Sequence, residues 1–240
     1  MASKKSLHIV HLYPVEMNIY GDTGNRHVLE KRLKWRGIDV KISLVGIGDQ
    51  IPDDADIILG GGAQDSSQSA VEKDLARKAP QLKKLADSDA VMLMVCGMYQ
   101  LLGRRFVTAD GRDIKGMGIL PCETLASTDR MIGNTIHQTP WGDVAAYENH
   151  SGKTYLDDTA LAWGKVLKGA GNNGDDGTEG CLFQNIFGTY AHGPVLSKNP
   201  RFADELIRRA LVRKYGSAKL TKLDDSLELA AAEVAKSRPR

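Results

Sequence analysis

Four short segments of this sequence are almost wholly apolar, and each ends at a turn. They are predicted strands, at residues 7–13, 40–45, 57–59 and 90–95. Between them, apolar residues recur at helical spacing and predict helices over residues 25–36 and 69–86. Short apolar strands that alternate with helices are typical of a parallel sheet covered on both faces. The first half of the chain therefore predicts an α/β fold with a mainly parallel sheet and helices on both faces.

The second half of the chain has weaker patterns. Predicted strands cover residues 119–125, 143–148 and 181–190, and a Gly/Asn/Asp-rich loop covers residues 169–180. The pair Asn199-Pro200 is typical of a helix start, and this helix is predicted to end near Tyr215. After it, the Ala/Glu/Lys-rich residues 219–240 predict a tail that is helical in part and then frayed.

The chain length and charge limit the class of protein. With 240 residues, of which 42% are hydrophobic and 26% charged, one domain over residues 1–240 is predicted, with its core at about 7–213. The formal net charge of +2 is too balanced to indicate binding to nucleic acid or to an acidic membrane surface. No segment is apolar enough for a membrane span, and the polar start lacks an apolar signal core. We therefore expect a cytoplasmic protein.

One of the three cysteines is placed for chemistry. Cys96 lies where a buried strand meets a helix that begins near Met98. Backbone amides at such a junction lower the pKa of a thiol and can hold an oxyanion. The alternative is an inert core cysteine. Cys122 and Cys181 do not face a helix start, so we interpret them as core or surface thiols. No CxxC pair is present, so the sequence predicts neither a disulfide framework nor a zinc site.

A thiol nucleophile needs a base, and His192 is the candidate. It lies in the segment Gly-Thr-Tyr-Ala-His-Gly-Pro, where glycine and proline constrain the backbone at a predicted strand end. An imidazole there can accept the thiol proton and later protonate a leaving ammonia. The alternative role is a histidine that caps a turn. His137 and His150, in predicted loops, are weaker candidates for the base.

Three consecutive glycines, Gly60, Gly61 and Gly62, follow the third predicted strand. Glycine lets backbone amides approach a substrate closely, although a tight turn is the more frequent explanation for such a run. The run lacks the Lys-Ser/Thr of a phosphate-binding loop, and no such motif occurs elsewhere. The sequence therefore predicts no ATP site in this chain.

These motifs resemble a known family. The segment VMLMVCGMYQLLG, which contains Cys96, is similar to the nucleophile elbow of class I glutamine amidotransferases of the cobyric acid synthase type. The segment around His192 resembles the second signature of that family. The segments NIYGDTGN, DRMIGN and ENHSG, at residues 18–25, 129–134 and 148–152, resemble the small amidotransferase subunits of two-chain lipid II isoglutaminyl synthases.

The resemblance implies a flavodoxin-like fold and an enzyme that hydrolyses glutamine to glutamate and ammonia. It implies a thioester on Cys96, with His192 as the base, an oxyanion hole built from Gly97 and the Gly61 and Gly62 region, and glutamine binding by Arg130. Gln100 is a weaker candidate for the pocket. No cofactor or metal is expected in this chain. ATP and magnesium are expected in a Mur-ligase-like partner of the MurT type, which amidates the D-glutamate of the peptidoglycan stem peptide.

One position departs from the wider class. Many class I amidotransferases have Glu two residues after the catalytic histidine, whereas this chain has Pro194. Without that acid, His192 lacks a local carboxylate to orient it. We expect a Cys96–His192 dyad in the isolated chain, completed by a carboxylate of the partner or, as a weaker alternative, by Glu148.

Three other functions stay open at this point. The chain is an amidotransferase for a different, cobyrinate-like synthetase, a PfpI-type cysteine hydrolase, or a scaffold subunit that has kept the fold without turnover. Substitution of Cys96 separates the enzymes from the scaffold, and glutamine offered against peptide separates amidotransferase from hydrolase.

Overall fold

The computed structural model describes residues 4–63, 65–108 and 111–239, with backbone only for residues 65–70. In these ranges the chain forms two β-sheets and five α-helices. The first three residues of the polar start and the last residue of the predicted tail lie outside the described residues.

The first sheet carries the predicted parallel strands. Its order in space is β11-β12-β4-β3-β1-β2, and all neighbours run parallel except β11 and β12. The strands are β1 (Ser6–Leu12), β2 (Asp39–Val45), β3 (Ile57–Gly60), β4 (Val91–Val95), β11 (Cys181–Phe183) and β12 (Ile186–Thr189). Strand β4 is buried at every position. Burial of such aliphatic side chains stabilises the fold by roughly 2 kcal/mol each, so this strand anchors whatever follows it.

Helices cover the two faces of the first sheet. They are α1 (Thr23–Trp35), α2 (Asp65–Asp87), α3 (Gly97–Leu102) and α4 (Pro200–Tyr215), whereas α5 (Ser226–Ser237) packs against the second sheet. Helix α1 packs beside α4, and α2 beside α3. The mainly parallel α/β fold predicted from the first half is confirmed, with the four early strands within two residues of their predicted bounds.

The second sheet is built around a long antiparallel hairpin. Its strands are β5 (Arg105–Val107), β6 (Asp113–Lys115), β7 (Cys122–Thr139), β8 (Gly142–Leu156), β9 (Gly164–Lys168) and β10 (Thr178–Glu179). Strands β7 and β8 pair over most of their length, with an irregularity between Ala126 and Met131. The two short strands predicted here were each part of a much longer strand. The prediction of one strand over residues 181–190 was also wrong, because Gln184 takes a positive φ of 54° and turns the chain between β11 and β12.

The two sheets meet behind the carboxyl ends of the parallel strands. An antiparallel bridge joins Tyr147 of β8 to His192, the residue three positions after β12. The Trp163 indole donates to the Gly188 carbonyl at 2.8 Å and stacks near Phe202, whose ring centroid lies 5.2 Å away. These contacts fix the second sheet against the edge where the predicted nucleophile and base lie.

A buried arginine holds the C-terminal helix in place. The Arg32 side chain is 2% exposed and bonds Asp204 of α4 at 2.7 Å and Asp225, just before α5, at 2.6 Å. Two carboxylates thus compensate a charge that is costly to bury alone. The predicted helical part of the tail is α5.

Candidate active site

Cys96 occupies a sharp turn between β4 and α3. Its backbone has φ 50° and ψ −108°, a conformation rare for a residue with a side chain. The turn is held on both sides, because Cys96 N–H donates to Thr189 at 2.8 Å and its carbonyl accepts from Gln100 at 3.0 Å. A strained strand-to-helix turn of this kind presents a nucleophile at the edge of a sheet. The helix begins at Gly97, directly after the thiol.

The glycine run after β3 passes very close to this turn. A Cβ on Gly60 would lie 2.4 Å from Met98, and one on Gly61 would lie 2.1 Å from the Met17 carbonyl. A Cβ on Gly62 would lie 2.8 Å from Cε1 of His192 and 3.2 Å from Cβ of Cys96. Glycine is required at these three positions because a side chain there would collide with neighbouring residues. Gly62 therefore lies against both the imidazole of His192 and the Cβ of Cys96, and a side chain there would crowd both residues.

His192 is fully buried and held by its backbone. Its N–H donates to the Tyr147 carbonyl at 2.7 Å, and the Tyr20 ring lies edge-on, 4.6 Å from the imidazole. Within the described residues, neither ring nitrogen has a hydrogen-bond partner. Burial first, and then the nearby His150, lowers the pKa of His192 to about 3. The imidazole is therefore neutral near neutral pH, which is the form that can accept a proton.

A buried carboxylate that the sequence analysis did not single out, that of Asp22, lies close to His192. Oδ2 of Asp22 lies 3.8 Å from Nδ1 of His192 and accepts the N–H of Gly62 at 2.8 Å. Glu148, the weaker alternative from the sequence, accepts backbone N–H groups at both oxygens, from Ala170 at 2.8 Å and Gly171 at 3.0 Å. Glu148 fixes a loop of the second sheet.

Arg130 lies on the second sheet, at the irregular part of β7. Its side chain is exposed, and its Nε donates to Oδ1 of Asn149 at 2.8 Å. Asn149 and Tyr147 are two residues apart on β8, so their side chains share one face of the strand. Through Asn149, Arg130 is therefore bound to the strand that bridges His192. Asn149 bonds only Nε, and the two terminal nitrogens of a guanidinium form a fork that matches a carboxylate.

A buried polar cluster lies behind the thiol. Gln100 donates to the Tyr190 hydroxyl at 3.2 Å, and that hydroxyl also bonds Thr154 at 2.7 Å. The Tyr190 ring stacks on His150, with centroids 3.6 Å apart. Gln100 thus packs within this cluster, and its amide is turned toward Tyr190.

Other candidate residues are placed differently from expectation. His137 and His150 were predicted in loops but lie in β7 and β8, and both are buried. Burial lowers the pKa of His137 to about 3. Cys122 and Cys181 are fully buried, so of the two interpretations, core or surface thiol, the structure supports the core for both. In the part of the chain that the structure describes, no group of three His, Cys, Asp or Glu side chains is arranged to hold a metal ion. No helix there is long and apolar enough to cross a membrane.

Comparison with known proteins decides the family. Residues 8–200 match the CobB/CobQ-like glutamine amidotransferase domain. The chain belongs to this family. The resemblance found in the sequence is thereby confirmed, and this CobB/CobQ-like amidotransferase is an enzyme of the glutamine-hydrolysing class.

Curated relatives of this amidotransferase include two isoglutaminyl synthase subunits. The lipid II isoglutaminyl synthase (glutamine-hydrolyzing) subunit GatD of Streptococcus pneumoniae is 38% identical, over 95% of this chain and 89% of its own length. The subunit of the same name from Staphylococcus aureus is 36% identical, over 95% of this chain and 94% of its own length. A probable cobyric acid synthase of Methanopyrus kandleri is 31% identical, over 71% of this chain but 36% of its own length.

Solved structures agree on the fold. PurLQS from Thermotoga maritima matches 87% of the amidotransferase chain with a TM-score of 0.56 at 18% identity. A glutamine amidotransferase from the same organism matches 96% of it with a TM-score of 0.55 at 12% identity. At such low identity the likeness concerns the fold alone, and it confirms the flavodoxin-like class.

Proposed function

We propose that this chain is the glutaminase subunit of a lipid II isoglutaminyl synthase. The observation that carries the proposal is the strained Cys96 turn, with Cys96 and His192 both lying against Gly62. The match spans most of the length of the relatives named GatD, but only about a third of the length of the cobyric acid synthase. This favours the two-chain enzyme over a cobyrinate-like synthetase.

The reaction begins with transfer of the Cys96 proton to His192. The thiolate attacks the carboxamide carbon of glutamine, and the oxygen of that group takes a negative charge in a tetrahedral intermediate. Gly97 N–H is the donor that we propose for this oxygen. Because Gly62 N–H donates to Asp22, the second amide of the proposed oxyanion hole is that of Gly61.

Ammonia leaves when His192 returns the proton to the amide nitrogen, which breaks the C–N bond and forms a glutamyl thioester. A water molecule, deprotonated by His192, then attacks the thioester carbon. Glutamate leaves as the C–S bond breaks, and the proton on His192 restores the thiol. No oxidant, metal or further cofactor enters these steps.

Arg130 is the residue that we propose to bind the α-carboxylate of glutamine. Its two terminal nitrogens can donate to both oxygens of a carboxylate, a geometry that lysine reproduces poorly. Asn149 holds the guanidinium through Nε and leaves this fork available. Specificity for glutamine would then come from the second sheet, and the reaction chemistry from the first.

The ammonia acceptor lies in a partner. We propose that a Mur-ligase-like subunit of the MurT type, which binds ATP and magnesium, uses the ammonia to amidate the D-glutamate carboxylate of the lipid-linked stem peptide. The reaction would take place in the cytoplasm, a reducing compartment that keeps the three thiols free.

The test compares the full chain with a Cys96→Ala variant, alone and with its synthetase. We expect wild type to release glutamate from glutamine and Cys96→Ala to lose at least about 10⁴-fold of this activity, because no other group can form the thioester. Cys181→Ala, which removes another buried thiol, is the matched control and should keep the activity. With ammonium chloride in place of glutamine, the Cys96→Ala complex should still amidate lipid II.

Two results would overturn the proposal. Glutamate release by Cys96→Ala at the wild-type rate would require another nucleophile. Cleavage of peptides in preference to glutamine would instead favour the PfpI-type hydrolase.

A further inference from the structure

Asp22 is a buried carboxylate next to the catalytic base. Its side chain is 3% exposed, and Oδ2 lies 3.8 Å from Nδ1 of His192. The same oxygen accepts the N–H of Gly62, the glycine that lies against both His192 and Cys96. Asp22 therefore touches two of the three elements that form the site.

Capping of α1 does not explain this placement. Asp22 stands at the N-cap position, but its backbone is helical and its side chain makes no cap hydrogen bond. The side chain of Asn18 instead accepts the N–H of Thr23, the first residue of the helix, at 2.9 Å. An N-cap aspartate normally points its carboxylate at these amides. Here the carboxylate is turned away from the helix and toward His192.

The buried surroundings make the ionised form of the Asp22 carboxylate energetically unfavourable. Burial raises the pKa of Asp22 to about 6, although the Gly62 amide opposes that rise. Oδ1 has no hydrogen-bond partner among the described residues. A buried ionisable group with one unpaired oxygen is destabilising unless a positive charge forms beside it. The base next to it becomes positive during catalysis.

Other ionisable groups near Asp22 and His192 are neutral or have hydrogen-bond partners of their own. His11 of β1 lines the same small cavity as Asp22, and burial, Arg26 and His27 lower its pKa to about 4. It is neutral near neutral pH. The buried carboxylate of Glu179 accepts Thr189 Oγ1 at 2.6 Å and Tyr190 N–H at 3.0 Å, and Glu148 bonds backbone amides of the second sheet.

We propose that Asp22 is the carboxylate that positions His192 and stabilises its imidazolium during proton transfer from Cys96. The inference rests on the proposed glutaminase function, and it assigns to this chain the orienting group that the sequence analysis expected from the partner. When His192 takes the thiol proton, attraction closes the 3.8 Å gap to a charge-assisted hydrogen bond. The proton stays on the imidazole, as in other catalytic triads.

The test separates this role from a merely structural one. Asp22→Asn removes the charge but keeps a carbonyl oxygen that can accept Gly62 N–H. A structural role predicts wild-type kinetics in Asp22→Asn. The positioning role predicts a kcat lower by about 10²–10⁴-fold, with KM changed less than about threefold, as when the orienting aspartate of a serine protease is replaced.

The pH profile gives a second, independent readout. In wild type, kcat should fall as pH drops below about 6, because protonation of Asp22 removes the charge that holds the imidazolium. The Asp22→Asn profile should lack this fall. Asp56→Asn is the matched control. Asp56 is as buried as Asp22, but it lies just before β3 and accepts His8 N–H at 2.8 Å. It should keep both the wild-type kcat and the fall below about pH 6.

A third measurement does not depend on glutamine. Iodoacetamide labelling of Cys96, followed by mass spectrometry, reports how easily the thiol loses its proton to His192. Asp22→Asn should slow labelling at neutral pH by about tenfold or more. If wild type failed to hydrolyse glutamine but its labelling still depended on Asp22, the proposed function would fail and this inference would stand. Wild-type kcat, pH profile and labelling rate in Asp22→Asn would overturn the inference.

Discussion

The two sheets of this amidotransferase differ in how they contribute to one site. The first sheet brings backbone turns: the Cys96 elbow, the glycine run after β3 and the segment that carries His192 all follow the carboxyl ends of parallel strands. The second sheet brings side chains of a long hairpin, with Arg130 and Asn149 at its irregular part. We infer that the first sheet determines kcat and the second determines KM.

Among the variants that test this division, the largest effect is expected from a single methyl group at Gly62. A Cβ there would lie 2.8 Å from His192 and 3.2 Å from Cys96, so it would push the base away from the thiol. Gly62→Ala should lower kcat by about 10²–10³-fold, because small displacements of reacting groups cost rate steeply. Steady-state glutamate release measures this.

The matched control for Gly62→Ala is Gly46→Ala, at the carboxyl end of β2. A Cβ at Gly46 meets its nearest neighbour, an oxygen of Asp49, at an ordinary 3.5 Å. Equal kcat in both variants would show that the first sheet tolerates crowding at the thiol, and the division between the sheets would fail.

An intermediate effect is expected at Arg130. Arg130→Lys keeps the charge but loses the two-pronged contact with a carboxylate, so KM for glutamine should rise by about 10–100-fold while kcat changes little. Arg105→Lys is the control, since Arg105 is another exposed arginine of the second sheet and is paired with Asp113. A fall in kcat with unchanged KM would place Arg130 in the chemistry and contradict the division.

The sequence predicted the two sheets unequally for a physical reason. Continuous apolar runs such as β4 identify buried parallel strands locally, and a cysteine or histidine at their ends is then placed by the topology itself. In β7 and β8, buried and exposed positions alternate and polar residues interrupt the pattern, so the length of each strand depends on its pairing with the other. His137 and His150 were assigned to loops for this reason.

Asp22 shows a different limit of sequence reasoning. An aspartate directly before a helix is most simply interpreted as a cap. Only the fold brings it next to His192, which is 170 positions away in the chain. The pattern that could have indicated more is Asn18, a second capping residue four positions earlier, which makes the carboxylate unnecessary for the helix.

The smallest effect is expected at the junction between the sheets. Glu179 of β10 is fully buried, and burial, as the largest cause, raises its pKa to about 7. Because the folded-state pKa lies above the unfolded one, ionisation destabilises the folded protein as pH rises through about 7, and this cost is absent below about pH 4. Glu179→Gln should therefore raise the free energy of unfolding by about 1–3 kcal/mol at about pH 8 and change it little at acidic pH.

Chemical denaturation at the two pH values measures the Glu179 effect, and kcat should stay within about threefold of wild type because the variant keeps an acceptor for Thr189. Destabilisation at about pH 8 would instead mean that the carboxylate charge holds the junction together.

The most direct test of the account is to trap the covalent intermediate. The full chain is mixed with glutamine, stopped with acid at short times and digested, and the peptide containing Cys96 is weighed by mass spectrometry. A thioester mechanism with His192 as the base predicts one added glutamyl group on Cys96, sensitive to hydroxylamine, in wild type and none in His192→Ala. A glutamyl group on Cys122 or Cys181, or glutamine hydrolysis without any modified Cys96 peptide, would contradict it.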